Sequence, residues 1–163
     1  MLRIGVLADT HMPRRAKQLP QQLLDAFAGV DLILHAGDLV AADVLDTLRA
    51  IAPVEAVAGN NDPASLGLPL TRILTVAGYR IGLAHGHEGA GKSTVERALS
   101  HFPGYDLVVF GHSHMPYQAR HGATLAFNPG SATDRRRAPH CSYGMLYVTP
   151  DGLRAEIHPI ELG

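Results

Sequence analysis

Tryptophan is absent from the 163 residues, and cysteine occurs once, at Cys141. A single thiol rules out an intrachain disulfide and any zinc site built from several thiolates. No apolar stretch approaches the roughly 20 residues that a membrane helix needs. The first apolar run, residues 2–8, is too short for the apolar region of a signal peptide and ends on an acid. The expectation is a cytoplasmic protein with no membrane association. Charge of one sign is lacking too: 14 Lys and Arg stand against 15 Asp and Glu, a formal net charge of −1. The basic excess of a nucleic-acid-coating surface is therefore missing. No low-complexity segment or internal repeat is present.

What is there reads as one globular domain over residues 1–163, with 46% hydrophobic and 18% charged residues. Histidine is over-represented, with ten in this length. Imidazole is the commonest transition-metal ligand, so the positions of these residues decide whether the excess means surface scatter or a site.

Short apolar runs alternate with helical spacing through the first half. Residues 2–8, 31–36 and 53–58 read as strands, and 19–28 and 41–51 as helices, with Val44, Leu45, Leu48 and Ile51 recurring at helical intervals. This β-α-β-α-β start predicts a parallel sheet with right-handed crossovers. Residues 71–77 and 79–85 flank Gly78 as a hairpin, and a helix near 92–101 leads to a run at 106–110. Short strands at 117–121, 123–128, 143–148 and 153–159 follow. The stretch 129–142, with three successive arginines and two prolines, is the candidate mobile loop.

Five of the apolar runs end in polar clusters. They end in Asp9-Thr10-His11, Gly37-Asp38, Gly59-Asn60-Asn61-Asp62, His85-Gly86-His87 and Gly111-His112-Ser113-His114. The carboxyl ends of strands are where open α/β sheets bind ligands. Carboxylate, imidazole and amide oxygen together suit manganese, iron, zinc or magnesium. An i, i+2 spacing on extended backbone aims Asp9 with His11, and His112 with His114, the same way. A carboxylate such as Asp38 has two oxygens and can bridge two ions, and Gly37 lets the chain turn before it. Each block alone is a common turn or strand fragment. Their joint occurrence in order at strand ends is not.

These five blocks resemble the motif set of the calcineurin-like metallophosphoesterase superfamily, and the match runs from residue 9 to residue 114. Together with Asn128-Pro129-Gly130-Ser131, they are most similar to its branch of small bacterial and archaeal phosphodiesterases, related in fold to a retromer scaffold subunit. The resemblance implies an α/β (α+β) fold: a two-sheet β-sandwich flanked by helices in four layers, α/β/β/α. It also implies that Asp9, His11 and His114 hold one divalent ion, that Asn60, His85 and His112 hold a second, and that Asp38 bridges. The implied cofactors are two divalent ions, with Mn2+ expected and Fe, Ni, Zn or Mg tolerated. The implied reaction is hydrolysis of a small-molecule phosphate ester, most of all a diester. A hydroxide bridging ions roughly 3.5–4 Å apart would attack phosphorus in line with the leaving group. Many members carry a histidine directly after the motif asparagine as general acid. Here that position is Asn61, which predicts slow turnover on poor leaving groups, because general acid catalysis contributes about 10²–10⁴-fold. His87 is the candidate substitute, and Asp62 the candidate for orienting the loop or a ligand histidine.

Two alternatives stand beside this reading. Residues 86–93, Gly-His-Glu-Gly-Ala-Gly-Lys-Ser, satisfy the P-loop pattern, which would put Lys92 on nucleotide phosphates and Ser93 on magnesium. Against it, no later strand ends in the acid such a site needs. The second alternative is a metal-binding scaffold without catalysis. Arg135, Arg136 and Arg137 read equally as substrate contacts and as a solvated basic loop, and are left outside the site.

Overall fold

The computed structural model describes residues 1–13 and 16–161. Three strands, β1 (Leu2–Leu7), β2 (Leu32–His35) and β3 (Val54–Ala56), pair in parallel, joined through α1 (Gln21–Phe27) and α2 (Ala42–Arg49). The two last strands, β9 (Cys141–Thr149) and β10 (Gly152–Ile160), extend this sheet antiparallel along β1, giving the order β10-β9-β1-β2-β3.

A second sheet has the order β4-β5-β6-β8-β7. Its strands are β4 (Thr71–Val76), β5 (Tyr79–Ala84), β6 (Leu107–Val109), β7 (Tyr117–His121) and β8 (Thr124–Asn128), and α3 (Thr94–Ser100) connects β5 to β6. Ala77 and Gly78, with φ of 49° and 87°, form the two-residue turn of the β4–β5 hairpin, where two positive φ values match the twist of the strands.

Side-chain alternation explains why these strands become a sandwich. In β1 and its continuation, Ile4, Val6 and Ala8 face the second sheet, whose Ile81, Leu83, Leu107, Val109, Leu125 and Phe127 meet them. Leu7 and Ile33 face the other way, onto Leu23 and Phe27 of α1 and Leu45 and Leu48 of α2. Ala84, Val108, Phe110 and Ala126 likewise turn outward to Ala98 and Phe102 beside α3. Strands buried on both faces show little alternation in sequence, as seen in both sheets. Each sheet carries one glycine that seats an aromatic ring from the helix layer. A Cβ on Gly5 would lie 2.8 Å from the Phe27 ring, and one on Gly82 would overlap Phe102.

The four-layer α/β/β/α arrangement expected from the resemblance is the one observed, with each expected helix and strand present and ends shifted by up to two residues. No described helix is long and apolar enough to cross a membrane. The expectation of a mobile loop over 129–142 is overturned. Ser131 donates to the Asp9 carbonyl (2.7 Å), Thr133 to the Thr10 carbonyl (2.5 Å) and Ser142 to the Pro129 carbonyl (2.6 Å), while Ala132 and Ala138 are buried. Prolines and arginines signalled solvent, but the bonds to Asp9 and Thr10 span more than 120 residues of chain and leave no local trace.

Candidate metal centre

The carboxyl ends of β1, β2, β3, β5 and β6 meet along one rim of the sandwich, because the parallel parts of both sheets point there. Asp9, His11, Asp38, His85 and His114 are buried at that rim, and His112 is half-buried. Two sets of ligand atoms converge, each within 4.8 Å of one another: Asp9 with His11 and His114, and Asp9 with Asp38 and His85. His85 Nε2 lies 3.3 Å from Asp38 Oδ2 and 3.7 Å from Asp9 Oδ1, and His11 Nε2 lies 3.4 Å from Asp38 Oδ2. His114 Nε2 is 3.7 Å from Asp9 Oδ1.

The backbone here is not the extended chain that the i, i+2 spacing suggested. Asp9, His11, Asp38, His112 and His114 have φ of 54°, 45°, 60°, 71° and 62°, in the left-handed region that non-glycine residues rarely occupy. Convergence comes from this alternation of bends, held by bonds such as His11 N–H to the Asp38 carbonyl (3.0 Å). Such strain clusters where the surrounding structure imposes it for function. Gly37 turns as expected, with φ of 102°, and a Cβ there would sit 2.7 Å from His85 Nδ1.

Hydrogen bonds choose which nitrogen each histidine presents. The Ala36 carbonyl accepts from His85 Nδ1 (2.8 Å) and the Asp134 carbonyl from His114 Nδ1 (2.5 Å). A carbonyl only accepts, so both Nδ1 atoms carry hydrogen and both Nε2 atoms face the centre, the orientation that outer partners impose on ligand histidines. His112 turns its Nδ1 toward His85 Nε2 at 3.3 Å, two nitrogens that must share a proton or a cation. Asp9 Oδ1, His11 Nε2 and His114 Nε2 are buried with no hydrogen-bond partner. Buried polar atoms left in that state are rare, and a cation among them satisfies all three. The donor set therefore fits a divalent metal.

The electrostatics agree. Burial pushes the Asp9 carboxyl up to about 7, against the lowering pull of His85. Burial would also raise Asp38, but hydrogen bonds from His85 and Asn61 hold it below the ordinary carboxylate range. His11 and His114 are pushed down chiefly by burial, and His112 to about 4 for the same first reason. Burial works against charge on His85 too, yet the bond to Asp38 and the field of Asp9 raise it.

These groups form the motif rim of a known family. The chain belongs to the calcineurin-like phosphoesterase superfamily. Residues 2–151 match its domain. A probable metallophosphoesterase of Methanothermobacter thermautotrophicus is 39% identical over 156 residues, covering 94% of this chain and 90% of that protein. The zinc complex of wild-type Vps29 from Entamoeba histolytica superposes with a TM-score of 0.79 at 25% identity, over 97% and 99% of the two chains. A structure described as a novel archaeal phosphodiesterase superposes at 0.74 with 22% identity, over 96% and 100%.

The remaining expected residues of this metallophosphoesterase domain lie around the centre. Asn60, on the loop that follows β3, is exposed. Its neighbour Asn61 donates its backbone N–H (2.9 Å) and its side-chain amide (2.8 Å) to the two Asp38 oxygens. Asp62 does not face the centre: its carboxylate accepts N–H groups from Asp38 (2.8 Å), Val40 (2.7 Å) and Gly59 (2.8 Å), which makes it a positioning residue that clamps two loops. His87 stands beside the imidazoles, its ring 5.3 Å from His85 and 6.4 Å from His112, with a buried Nδ1 lacking a partner.

Sequence reasoning passed over His35. It is buried, accepts from Gly37 N–H at Nδ1 (3.1 Å), and so donates from Nε2 to Thr10 (3.1 Å), tying the first two motif loops together. Its place at the end of β2, three residues before Asp38, was the available signal.

The P-loop pattern has another explanation. Ser93 caps α3 by accepting from Glu96 N–H (3.0 Å), and Glu96 accepts from Lys92 N–H (3.2 Å). Ala90 N–H is taken by Ser100 (3.0 Å), so these amides are not turned toward a phosphate.

Proposed function

We propose that the chain is a divalent-metal-dependent phosphodiesterase acting on small-molecule phosphate esters. The observation that carries this is the convergence of three buried, unpartnered ligand atoms, Asp9 Oδ1, His11 Nε2 and His114 Nε2, beside Asp38 and His85. In this reading Asp9, His11 and His114 hold one ion, Asn60, His85 and His112 the other, and Asp38 stands between, with Mn2+ as the activating metal. Divalent ions in such a site supply Lewis-acid chemistry: they offset charge developing on phosphoryl oxygens and make water acidic enough to act as a nucleophile near neutral pH.

The chain's own residues do the rest. Asn61 keeps Asp38 ionised and oriented through its two donors. The Ala36 and Asp134 carbonyls hold His85 and His114 in the tautomer that leaves Nε2 free. In this reading His87 protonates the leaving oxygen, since Asn61 lacks a titratable proton. The fold likeness to a protein described as a phosphodiesterase supports a diester as substrate. The cytoplasmic setting expected from the sequence belongs to the same reading.

The test is hydrolysis of bis-p-nitrophenyl phosphate by metal-stripped protein with Mn2+ returned, beside His85→Ala. Metal-dependent turnover lost in His85→Ala is the expected result. Metal binding without any hydrolysis would replace the enzyme by a scaffold, and failure to bind metal would overturn the reading altogether.

A further inference from the structure

A groove of about 680 Å³ opens beside the centre, lined by His112, Ser113, Thr94, Arg136, Arg137 and the exposed Met115. It is far larger than a phosphate group needs and lies in the range of ligand sites, roughly 300–1,000 Å³.

The basic residues around the centre divide into two kinds. Arg97 is spent on the Gly86 carbonyl (2.8 Å), the Lys92 carbonyl (3.3 Å) and Thr94 (3.3 Å), and Arg135 on the Ala138 carbonyl (2.9 Å). Among the described residues Arg136 makes a loose ion pair, its Nε 3.6 Å from Asp134, and its side chain is half exposed. Arg137 is exposed, with no hydrogen bond or ion pair to another described residue. Arg136 lines the same groove as the expected ligand His112, which places its charge next to the centre.

The loop that carries both arginines is fastened to the metal-binding loops. Ser131 and Thr133 donate to the backbone of Asp9 and Thr10, and the Asp134 carbonyl holds His114. Arg136 itself has φ of 47°, a strained conformation for a bulky residue that the anchored loop imposes. Two guanidinium groups side by side present planar donor forks suited to phosphate oxygens.

We infer that the groove is the substrate channel and that Arg136 and Arg137 bind a second phosphate of the substrate. The substrate class is then a phosphodiester whose organic part carries a further phosphate group, with Met115 against the apolar portion between them. This rests on the phosphodiesterase reading above and adds the substrate class to it.

The test compares two chromogenic diesters on the Mn2+-loaded protein: the p-nitrophenyl ester of thymidine 5′-phosphate, and the same ester phosphorylated at the 3′ position. The 3′-phosphate is expected to raise kcat/KM about 10–100-fold, mainly through KM, as charge-assisted bonds to one phosphate allow. Arg136→Ala with Arg137→Ala should remove most of that gain. Arg120→Ala with Arg154→Ala, which removes equal charge from β7 and β10, should keep it. Equal kcat/KM for the two esters in the wild type, or a gain that survives in the Arg136/Arg137 variant, overturns the inference.

If the double variant does not fold, Arg137→Ala alone, which leaves the strained Arg136 in place, must still reduce the gain several-fold. If the wild type cleaves neither ester, the phosphodiesterase reading fails by itself. Calorimetry then decides the groove: thymidine 3′,5′-bisphosphate should bind at least tenfold more tightly than thymidine 5′-monophosphate, and equal affinities would overturn the site.

Discussion

Asp38 meets two kinds of neighbour: the imidazoles of His11 and His85, and the two donors of Asn61. Removing the amide takes one of the two Asn61 donors from the carboxylate and leaves its orientation to the backbone N–H and the imidazoles. Asn61→Ala is therefore expected to weaken metal binding about 10–100-fold, the usual consequence of losing an outer partner of a ligand. Calorimetric titration with Mn2+ reads this directly, and an unchanged affinity would show that Asn61 is a bystander. At this scale the sequence was legible for residue types and order. It could not say which of the two asparagines donates to both Asp38 oxygens, because neighbouring asparagines in a turn differ only in backbone direction. The role of His35 was hidden for a similar reason: a histidine inside an apolar strand shows its partners only after the loops have closed over it.

Helices were readable because burial repeats with a period, and strands as short apolar runs, since the sandwich needs apolar residues on both faces of most strands. The 129–142 segment was not, since its order comes from bonds to distant backbone rather than from its own pattern. Ser131 is the clearest example: it donates to the Asp9 carbonyl and accepts from Asp134 N–H (2.9 Å) and Thr133 N–H (3.3 Å). Ser131→Ala strips a buried carbonyl of its donor and should destabilise the fold by about 1–3 kcal/mol in urea unfolding. On the opposite face, Gly82→Ala forces a Cβ into the Phe102 ring and is expected to lower stability by about 1–3 kcal/mol through overpacking. A neutral result there would mean that Phe102 swings aside freely.

For the whole molecule, protonation and metal act through the same few groups. His35 is pushed down to about 3 by burial first of all, from an ordinary 6.5, so the unfolded chain takes up a proton that the folded one refuses. The stability this contributes is complete above pH 6.5 and is lost as pH falls toward 3. His112, at about 4, has the same sign. Asp9 opposes them: raised from 3.8 to about 7, it makes the metal-free fold lose stability as pH rises through that window. His35→Gln should flatten the acid limb of a urea-midpoint profile between pH 4 and 6.5, and an unchanged slope would assign that limb elsewhere. Metal binding must displace the Asp9 proton, so Mn2+ affinity is expected to fall as pH drops below about 7. At a hundred times the dissociation constant, bound metal should add about 2.7 kcal/mol, seen as a rise in Tm that a chelator reverses.

The left-handed backbone at Asp9, His11, Asp38, His112 and His114 has a bearing on how such chains change over generations. Each of these residues holds a conformation that glycine adopts at no steric penalty, worth about 1–2 kcal/mol apiece. Selection for the centre keeps side chains there against that gradient. A descendant released from the need for metal would gain stability by drifting toward glycine at these five positions, while its sandwich stayed intact. Loss of the activity would then be recorded as a string of new glycines along one rim, in a protein that melts higher than its ancestor.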